Sequence, residues 1–239
     1  MITTAARKTR PIPFPSLQTG DRMTRVEFHE LYKQTPEKFK AELIGGIVYV
    51  ASPVGIPHGA NHIALDVVVG IYALRTPGIE VCDNATIFLG DDGEFQPDLF
   101  LRILAKYGGR TRTTKDNYVA GPPEWIAEVA DSSKSIDLGR KKTEYRRHQV
   151  LEYLVMCVKE RKLRWFDLQG DEELKPDDGI YRMRTFPGLW IHGKALFARD
   201  ATLLIETLEE GMATPEYKAF AKKLADRHAR SKKPTAKKK

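Results

Sequence analysis

Gln96-Pro97-Asp98-Leu99-Phe100-Leu101 and, one element further on, Trp125-Ile126-Ala127-Glu128-Val129-Ala130 decide how the chain is read. Each is a short apolar and aromatic run with one carboxylate set into it. Each follows a turn signal, Gly93 in the first case and Gly121-Pro122-Pro123 in the second. This pattern predicts two buried strands that both carry an acid. A carboxylate taken out of water is costly unless it is paired or holds a cation, so two on neighbouring strands point to a metal site. The competing reading is that each acid pairs locally with an arginine or lysine, because structural ion pairs also place carboxylates in cores.

Upstream of these strands, Ala41-Glu42-Leu43-Ile44-Gly45-Gly46-Ile47-Val48-Tyr49-Val50-Ala51 reads as a hairpin closed by a Gly-Gly turn, with Glu42 on its first arm. A helix precedes it, opening at the capping box Thr24-x-x-Glu27, with Val26, Phe28, Leu31 and Tyr32 as its apolar face and an end near Thr35-Pro36. Residues 1 to 20, with Pro11, Pro13, Pro15 and Gly20, read as an extended leader. From Pro57 to Leu74, the stripe Ile63, Val67, Ile71 and Leu74, flanked by Leu65, Val68 and Val69, predicts a largely buried helix. His58 and His62 are four apart on it, a candidate metal pair with no third ligand in sequence reach. A helix-start or core role is the alternative for them.

Strand candidates Ile79–Cys82 and Ala85–Leu89 follow, and Asp91-Asp92-Gly93 then turns the chain into the Asp98 strand. Residues 105 to 121 form a long polar loop in which Arg110, Arg112 and Lys115 could bracket a phosphate backbone, or simply be solvated. After Glu128, the run Asp131-Ser132-Ser133-Lys134-Ser135-Ile136-Asp137 leads into a helix reaching about His148. Leu138, Tyr145 and either Lys141 or Lys142 share a face there, so one lysine points inward and periodicity leaves open which. Strands Glu152–Val158 and Lys162–Leu168 complete the sheet, Tyr181–Arg184 and Leu189–Ile191 are short later strands, and Thr214-Pro215-Glu216 starts a last, basic helix.

With 239 residues and 41% hydrophobic content, the chain can build one large core. No run approaches the roughly 18 apolar residues of a membrane span, and the first residues lack the apolar stretch of a secretory signal, so a cytosolic protein is expected. Cys82 and Cys157 lie in apolar runs without metal-ligand spacing and are expected to be reduced core residues. The formal charge of +7 is localised. From Lys218 onward there are ten Lys/Arg and one acid, which leaves 29 Lys/Arg against 31 Asp/Glu before it. The end of this tail carries Lys232, Lys233, Lys237, Lys238 and Lys239 without a large apolar residue and is expected to be disordered. It could hold phosphates weakly and in a salt-sensitive way, or serve only as a solubilising end.

Pro97-Asp98, then Glu128 on the next long strand, then an inward lysine on the following helix is the residue order of a PD-(D/E)XK nuclease site. A phosphodiester gathers negative charge in its transition state, so such a site must supply positive charge and an activated water. Two carboxylates and a backbone carbonyl suit Mg2+, and lysine orients or deprotonates one water. Ala130 stands where the usual lysine of Glu-x-Lys would be.

Beyond this order, Glu42-Leu43-Ile44-Gly45-Gly46, Ser52-Pro53-x-Gly55-x-x-His58-Gly59, Pro97-Asp98-Leu99, Glu128-Val129, Asp137-x-Gly139-x-Lys141-x-x-x-Tyr145-Arg146-Arg147 and Glu152-Tyr153-Leu154 resemble the Uma-two family. That is a large bacterial family of restriction-endonuclease-like proteins, and the resemblance spans roughly Met23 to Ile205. It implies an α/β restriction-endonuclease-like core, a mixed central β-sheet flanked by helices with an N-terminal helix and hairpin; the C-terminal basic helix is read from the residues alone, since the basic tail beyond Tyr217 lies outside the resemblance. It also implies Asp98 and Glu128 as ligands of Mg2+ or Mn2+, Lys141 as the migrated catalytic lysine, Glu42 as an additional acid and His58 as a recurring histidine of unassigned role. Asp131-Ser132-Ser133-Lys134 departs from the family's usual Ser-Pro-Ser/Thr and adds an acid and a lysine close to the expected site, and Gly46 replaces the usual Asp of the turn. The organisation expected is a leader over 1–20, a nuclease-like domain over 21–208, a basic helix over 209–230 and a Lys-rich tail over 231–239. DNA is the expected partner, with a homodimer left open. The rival readings are a catalytically inactive nuclease-fold protein that binds DNA or regulates, and a structural role in which Asp98, Glu128 and Lys141 form a buried ion network.

Overall fold

A computed structural model describes residues 17–232, so most of the expected leader and the tail lysines Lys233, Lys237, Lys238 and Lys239 lie outside the described residues. α1 (Arg25–Tyr32) opens on the expected capping box, in which Thr24 and Glu27 satisfy each other's backbone amides. β1 (Ala41–Ile44) and β2 (Ile47–Val50) form the expected hairpin. Gly45 and Gly46 hold it at φ +57° and +73°, two successive left-handed positions that glycine adopts without a Cβ penalty.

α2 (Ile56–Arg75) buries His58, His62, Leu65, Val68, Val69, Tyr72 and Ala73. The stripe expected to face inward does not: Ile63, Val67 and Leu74 are 59%, 47% and 88% exposed. The helix is apolar on most sides, so periodicity alone selected the wrong face. The two histidines, which meet the sheet, mark the right one.

β3 (Ile79–Asp83), β4 (Ile87–Leu89), β5 (Gly93–Phe95) and β6 (Leu99–Ile103) come next. Asp91-Asp92-Gly93 closes a β4–β5 hairpin instead of turning the chain directly into the Asp98 strand. β6 begins at Leu99, because Pro97 has no N–H to give a ladder. The expected open loop at 105–121 contains a 3-10 turn, Ala105–Tyr107, and the two-residue strands β7 (Arg112–Thr113) and β8 (Val119–Ala120).

β9 (Trp125–Ala130) is buried throughout. α3 (Lys134–Ile136), a π-helical turn over Asp137–Lys141 and α4 (Lys142–Arg147) follow as one continuous segment. Then come β10 (Glu152–Cys157), β11 (Lys162–Asp167), β12 (Glu172–Leu174), β13 (Ile180–Arg182) and β14 (Trp190–His192). α5 (Gly193–Ala198), α6 (Ala201–Ala213) and α7 (Pro215–Ser231) end the fold, α7 with Thr214 as its cap and proline in its first turn as expected.

The central sheet has the order β12-β11-β10-β9-β6-β3, with β9 and β10 parallel and the other pairs antiparallel. A second sheet has the order β2-β1-β5-β4-β8-β7. One core lies between the central sheet and α2, α5, α6 and α7, built on Leu65, Tyr72, Trp125, Trp165, Leu196 and Leu208. Another joins the two sheets to α4 through Ile44, Phe95, Phe100, Tyr145 and Tyr153. Each such side chain contributes roughly 1.5–3 kcal/mol on burial, so the strands carrying the acids are held from both faces. The result is a mixed α/β fold with its sheets flanked by helices. Cys82 and Cys157 are free thiols, and among the described residues no helix is long and apolar enough to cross a membrane.

Candidate active site

β6 and β9 pair antiparallel with Leu99 opposite Ala127, and continuing that register by one residue sets Asp98 opposite Glu128. Directly opposed residues of an antiparallel pair point to the same side, so both carboxylates face one site. Asp98 is fixed at the mouth of β6, where its Oδ2 accepts the Val129 N–H at 2.7 Å and its Oδ1 lies 3.4 Å from His58 Nε2. Burial raises the Asp98 carboxyl. The hydrogen bonds from His58 and the Val129 amide, with the charges of His58 and Lys141, outweigh it and hold the group below the ordinary range. His58 is in turn raised, chiefly by its hydrogen bond with Asp98, against the opposing effect of burial.

Glu128 lies within β9 with a side chain 5% exposed. Its Oε1 accepts from Lys141 Nζ and from the Tyr145 hydroxyl, both at 2.9 Å. Lys141, 7% exposed, also reaches Glu42 Oε2 at 2.7 Å and Asp137 Oδ1 at 3.8 Å. Glu42 is held from its other oxygen, which accepts the Gln96 N–H at 2.8 Å. Ser133 donates to Asp137 Oδ2 at 2.5 Å, and Tyr153 donates to the Asp137 carbonyl at 3.1 Å.

Asp137, Lys141 and Tyr145 are successive fourth residues, and the wide π turn takes up the drift that a regular helix would accumulate between them. All three therefore face the sheet, and π turns recur at functional sites for this kind of reason. Lys142 points elsewhere: its ammonium sits 3.9 Å from the centroid of the Phe166 ring. Of the two lysines that periodicity left open, Lys141 is the one among the carboxylates.

One ammonium shared by three carboxylates leaves the cluster short of positive charge. Burial lowers the Lys141 pKa, but Glu128, Glu42 and Asp137 outweigh it and hold the amine well above its usual value. Burial and the charges of Asp137, Asp98 and Glu42 push Glu128 well up, against the pull of Lys141. Asp137 is raised to about 6, first by burial and then by Glu42 and Asp98, against Lys141 and the Ser133 hydroxyl.

On the far side of Asp98 lies a second group, foreseen only as a histidine pair. His58, His62 and Asp98 bring their ligand atoms within 4.8 Å of one another, as do His62, Asp66 and Asp83. The third ligand that seemed out of sequence reach is Asp98 itself, delivered by β6. Asp66 comes from the same face of α2, and Asp83 from the end of β3, paired with Leu99. Burial raises Asp66 to about 6, with Asp83 and Asp98 adding to it and His62 opposing. Asp66 and Asp83 are both missing from the sequence reading: the i,i+4 spacing from His62 is the signal that could have found Asp66, whereas Asp83 needed the β3–β6 register.

The expected phosphate-binding loop stands apart from these acids. β7, which carries Arg112, is at the opposite edge of the second sheet from β1 and Glu42, with β5, β4 and β8 between. Arg110 donates to the carbonyls of Gln149 at 2.8 Å and Pro123 at 3.3 Å and lies 3.5 Å from Glu124, so it ties the loop to the fold. Arg112, Lys115 and Lys232 are exposed. Lys134, expected close to the site, pairs instead with Glu160, and Asp131 pairs with Lys159 at 3.4 Å.

Residues 25–196 match the model of the Uma2 family, described as "Putative restriction endonuclease". The chain belongs to the Uma2 family. The match spans every element from α1 into α5, and with them both groups of ligands around Asp98. The fold is also that of a crystal structure from Anabaena variabilis, a "putative nuclease belonging to DUF820". That structure superposes with a TM-score of 0.57 at 15% identity, covering 71% of this chain and 96% of the other. No curated protein matches the chain.

Proposed function

We propose that this Uma2 protein is a divalent-cation-dependent endonuclease that hydrolyses phosphodiester bonds in DNA at the site between Asp98, Glu128 and Lys141. The observation that carries the proposal is the buried Lys141 ammonium, 2.9 Å from Glu128 and 2.7 Å from Glu42, beside an Asp98 set opposite Glu128. The family description and the basic C-terminal segment support DNA as the substrate.

The donors fit a hard divalent ion. Lys141 and Tyr145 both donate to Oε1 of Glu128, and among the described residues no donor reaches its Oε2, which is left as a ligand. Asp98 Oδ1 and Glu128 Oε2, with a backbone carbonyl, are the oxygens that would hold Mg2+ or Mn2+. When bound, such an ion supplies positive charge to the scissile phosphate and acidifies a water. The chain's own residues do the rest. Glu128, Glu42 and Asp137 favour the charged form of Lys141, which sets it as a donor that assists the attacking water and the developing charge on the phosphoryl oxygens. Tyr145 fixes the Glu128 rotamer, while His58 and the Val129 amide fix Asp98.

A structural reading is favoured by one observation, that Lys141 already satisfies Glu128 and Glu42 within the chain. Purified full-length protein incubated with plasmid DNA and Mg2+ or Mn2+ separates the two. Metal-dependent nicking that disappears in Asp98→Ala and Glu128→Ala is expected, and nicking that survives in either variant overturns the assignment.

A further inference from the structure

We propose that His62, Asp66 and Asp83, with the backbone carbonyl of Asp98, form a second divalent-cation site, selective for first-row transition ions such as Mn2+ over Mg2+. It goes beyond the nuclease reading, because it uses the main chain of Asp98 and none of the carboxylates assigned to cleavage.

Three oxygens converge on one ring nitrogen. His62 Nε2 lies 3.0 Å from the Asp98 carbonyl oxygen, 3.3 Å from Asp66 Oδ1 and 3.3 Å from Asp83 Oδ1. That nitrogen carries at most one proton and can donate along one direction only. Its hydrogen bond goes to the Asp98 carbonyl, and Asp66 Oδ1 is a buried oxygen with no hydrogen-bond donor. The 3.3 Å approach of Asp66 to His62 is therefore proximity without a bond. Asp83 Oδ1 does accept the Asn84 side-chain amide at 2.7 Å, which leaves it a free lone pair. Among the described residues, no lysine or arginine pairs with Asp66 or Asp83. Two carboxylates thus face each other across an imidazole with no fixed positive charge between them, and the buried, unpartnered Asp66 Oδ1 is the oxygen for which a cation would make up the lost solvation.

The separations are those of ligands sharing an ion. Two donors each about 2.1–2.2 Å from a metal and at right angles to one another are about 3.0–3.1 Å apart, and tetrahedral neighbours somewhat more. The four donors sit on three rigid pieces: His62 and Asp66 one turn apart on α2, Asp83 at the end of β3 and Asp98 at the mouth of β6. The Asp83 side chain is 60% exposed, which opens a path for an ion. An imidazole nitrogen among oxygens favours Mn2+ or its later first-row neighbours over Mg2+. His58 and the Asp98 carboxylate could also draw an ion toward His62, so the test separates the two groupings.

The test uses full-length, tag-free protein stripped with chelator and titrated with Mn2+, counting bound ions by the loss of the free-ion electron paramagnetic resonance signal. Wild type should bind one ion per chain more than Asp83→Asn or Asp66→Asn, whatever the number held at the nuclease carboxylates. Both variants are isosteric, and unchanged circular dichroism verifies their fold. The nitrogen-14 modulation of bound Mn2+ should survive in His58→Gln and be lost in His62→Gln when the nuclease ion is removed by Glu128→Gln. Equal Mn2+ counts in wild type and both Asp variants, or a nitrogen signal that depends on His58 and not on His62, overturns the proposal. A fall of one ion in Asp83→Asn with no loss in Glu128→Gln would uphold it while the nuclease reading fails.

Discussion

The two sides of Asp98 solve the same electrostatic problem differently. Toward α4, Glu42, Glu128 and Asp137 gather around an ammonium that the chain itself provides. Toward α2, Asp66 and Asp83 gather around a histidine, with no lysine or arginine paired to them among the described residues. A buried cluster that carries its own cation holds its donors in place before any ligand arrives, even where one ammonium serves three carboxylates. A cluster without one depends on protonation or on a metal. The π turn brings Lys141 to carboxylates that Ala130, at the usual lysine position on the Glu128 strand, cannot serve.

The largest effect should come from removing the acids assigned to cleavage. Asp98→Ala and Glu128→Ala should each lower cleavage by more than about a hundredfold while the far-ultraviolet circular dichroism stays native, because each removes a cation ligand but relieves like-charge repulsion. Smaller is the cost of loosening the lysine side alone. Tyr145→Phe deletes the 2.9 Å hydrogen bond to Glu128 and should lower stability by about 1–3 kcal/mol, measured by urea unfolding. An unchanged midpoint would mean that Lys141 alone positions Glu128.

The acid excess should also appear as a pH dependence of the metal-free protein. Asp137 titrates at about 6 in the fold against 3.8 as a free carboxyl, so between these values the native state binds more protons than the unfolded state. Its contribution is therefore fully present below 3.8 and is lost as pH rises through about 6. Asp137→Asn should flatten that part of the stability profile, and an identical slope in the variant would show that Asp137 does not hold the extra proton. The smallest effect concerns the tail. Deleting 231–239 removes five lysines and should make the salt dependence of DNA binding shallower by about four units, with single-turnover cleavage at low salt retained. The same slope with and without the tail would mean that it never meets the phosphates.

Much of this was legible before folding, and the exceptions share a cause. Gly45-Gly46 dictated the hairpin that presents Glu42, and apolar runs with single acids announced β6 and β9, because turn chemistry and strand burial are local properties. Lys141 could not be told from Lys142 by periodicity, since a π turn changes the period at the place where the choice is made. The buried face of α2 was misread because Ile63, Val67 and Leu74 are as apolar as the residues that pack. Its orientation goes with the packing of Leu65, Val68, Val69 and Tyr72 on the sheet and with the meeting of His62 and Asp98, 36 residues away, pairings without local trace. Asp83 entered the site for the same reason, through the β3–β6 register. Lys134 looked near the site in sequence but is drawn off by Glu160.

Single-turnover cleavage of plasmid DNA by Lys141→Met and Lys142→Met, at saturating Mg2+ and with folding verified, tests the central assignment most directly. Both variants keep the aliphatic stem and lose only the charge. The ammonium set between Glu42 and Glu128 should be the one that matters: Lys141→Met should be slower by about a hundredfold or more with DNA affinity little changed, and Lys142→Met should turn over near the wild-type rate. Normal turnover by Lys141→Met, or a dead Lys142→Met beside it, would contradict the account.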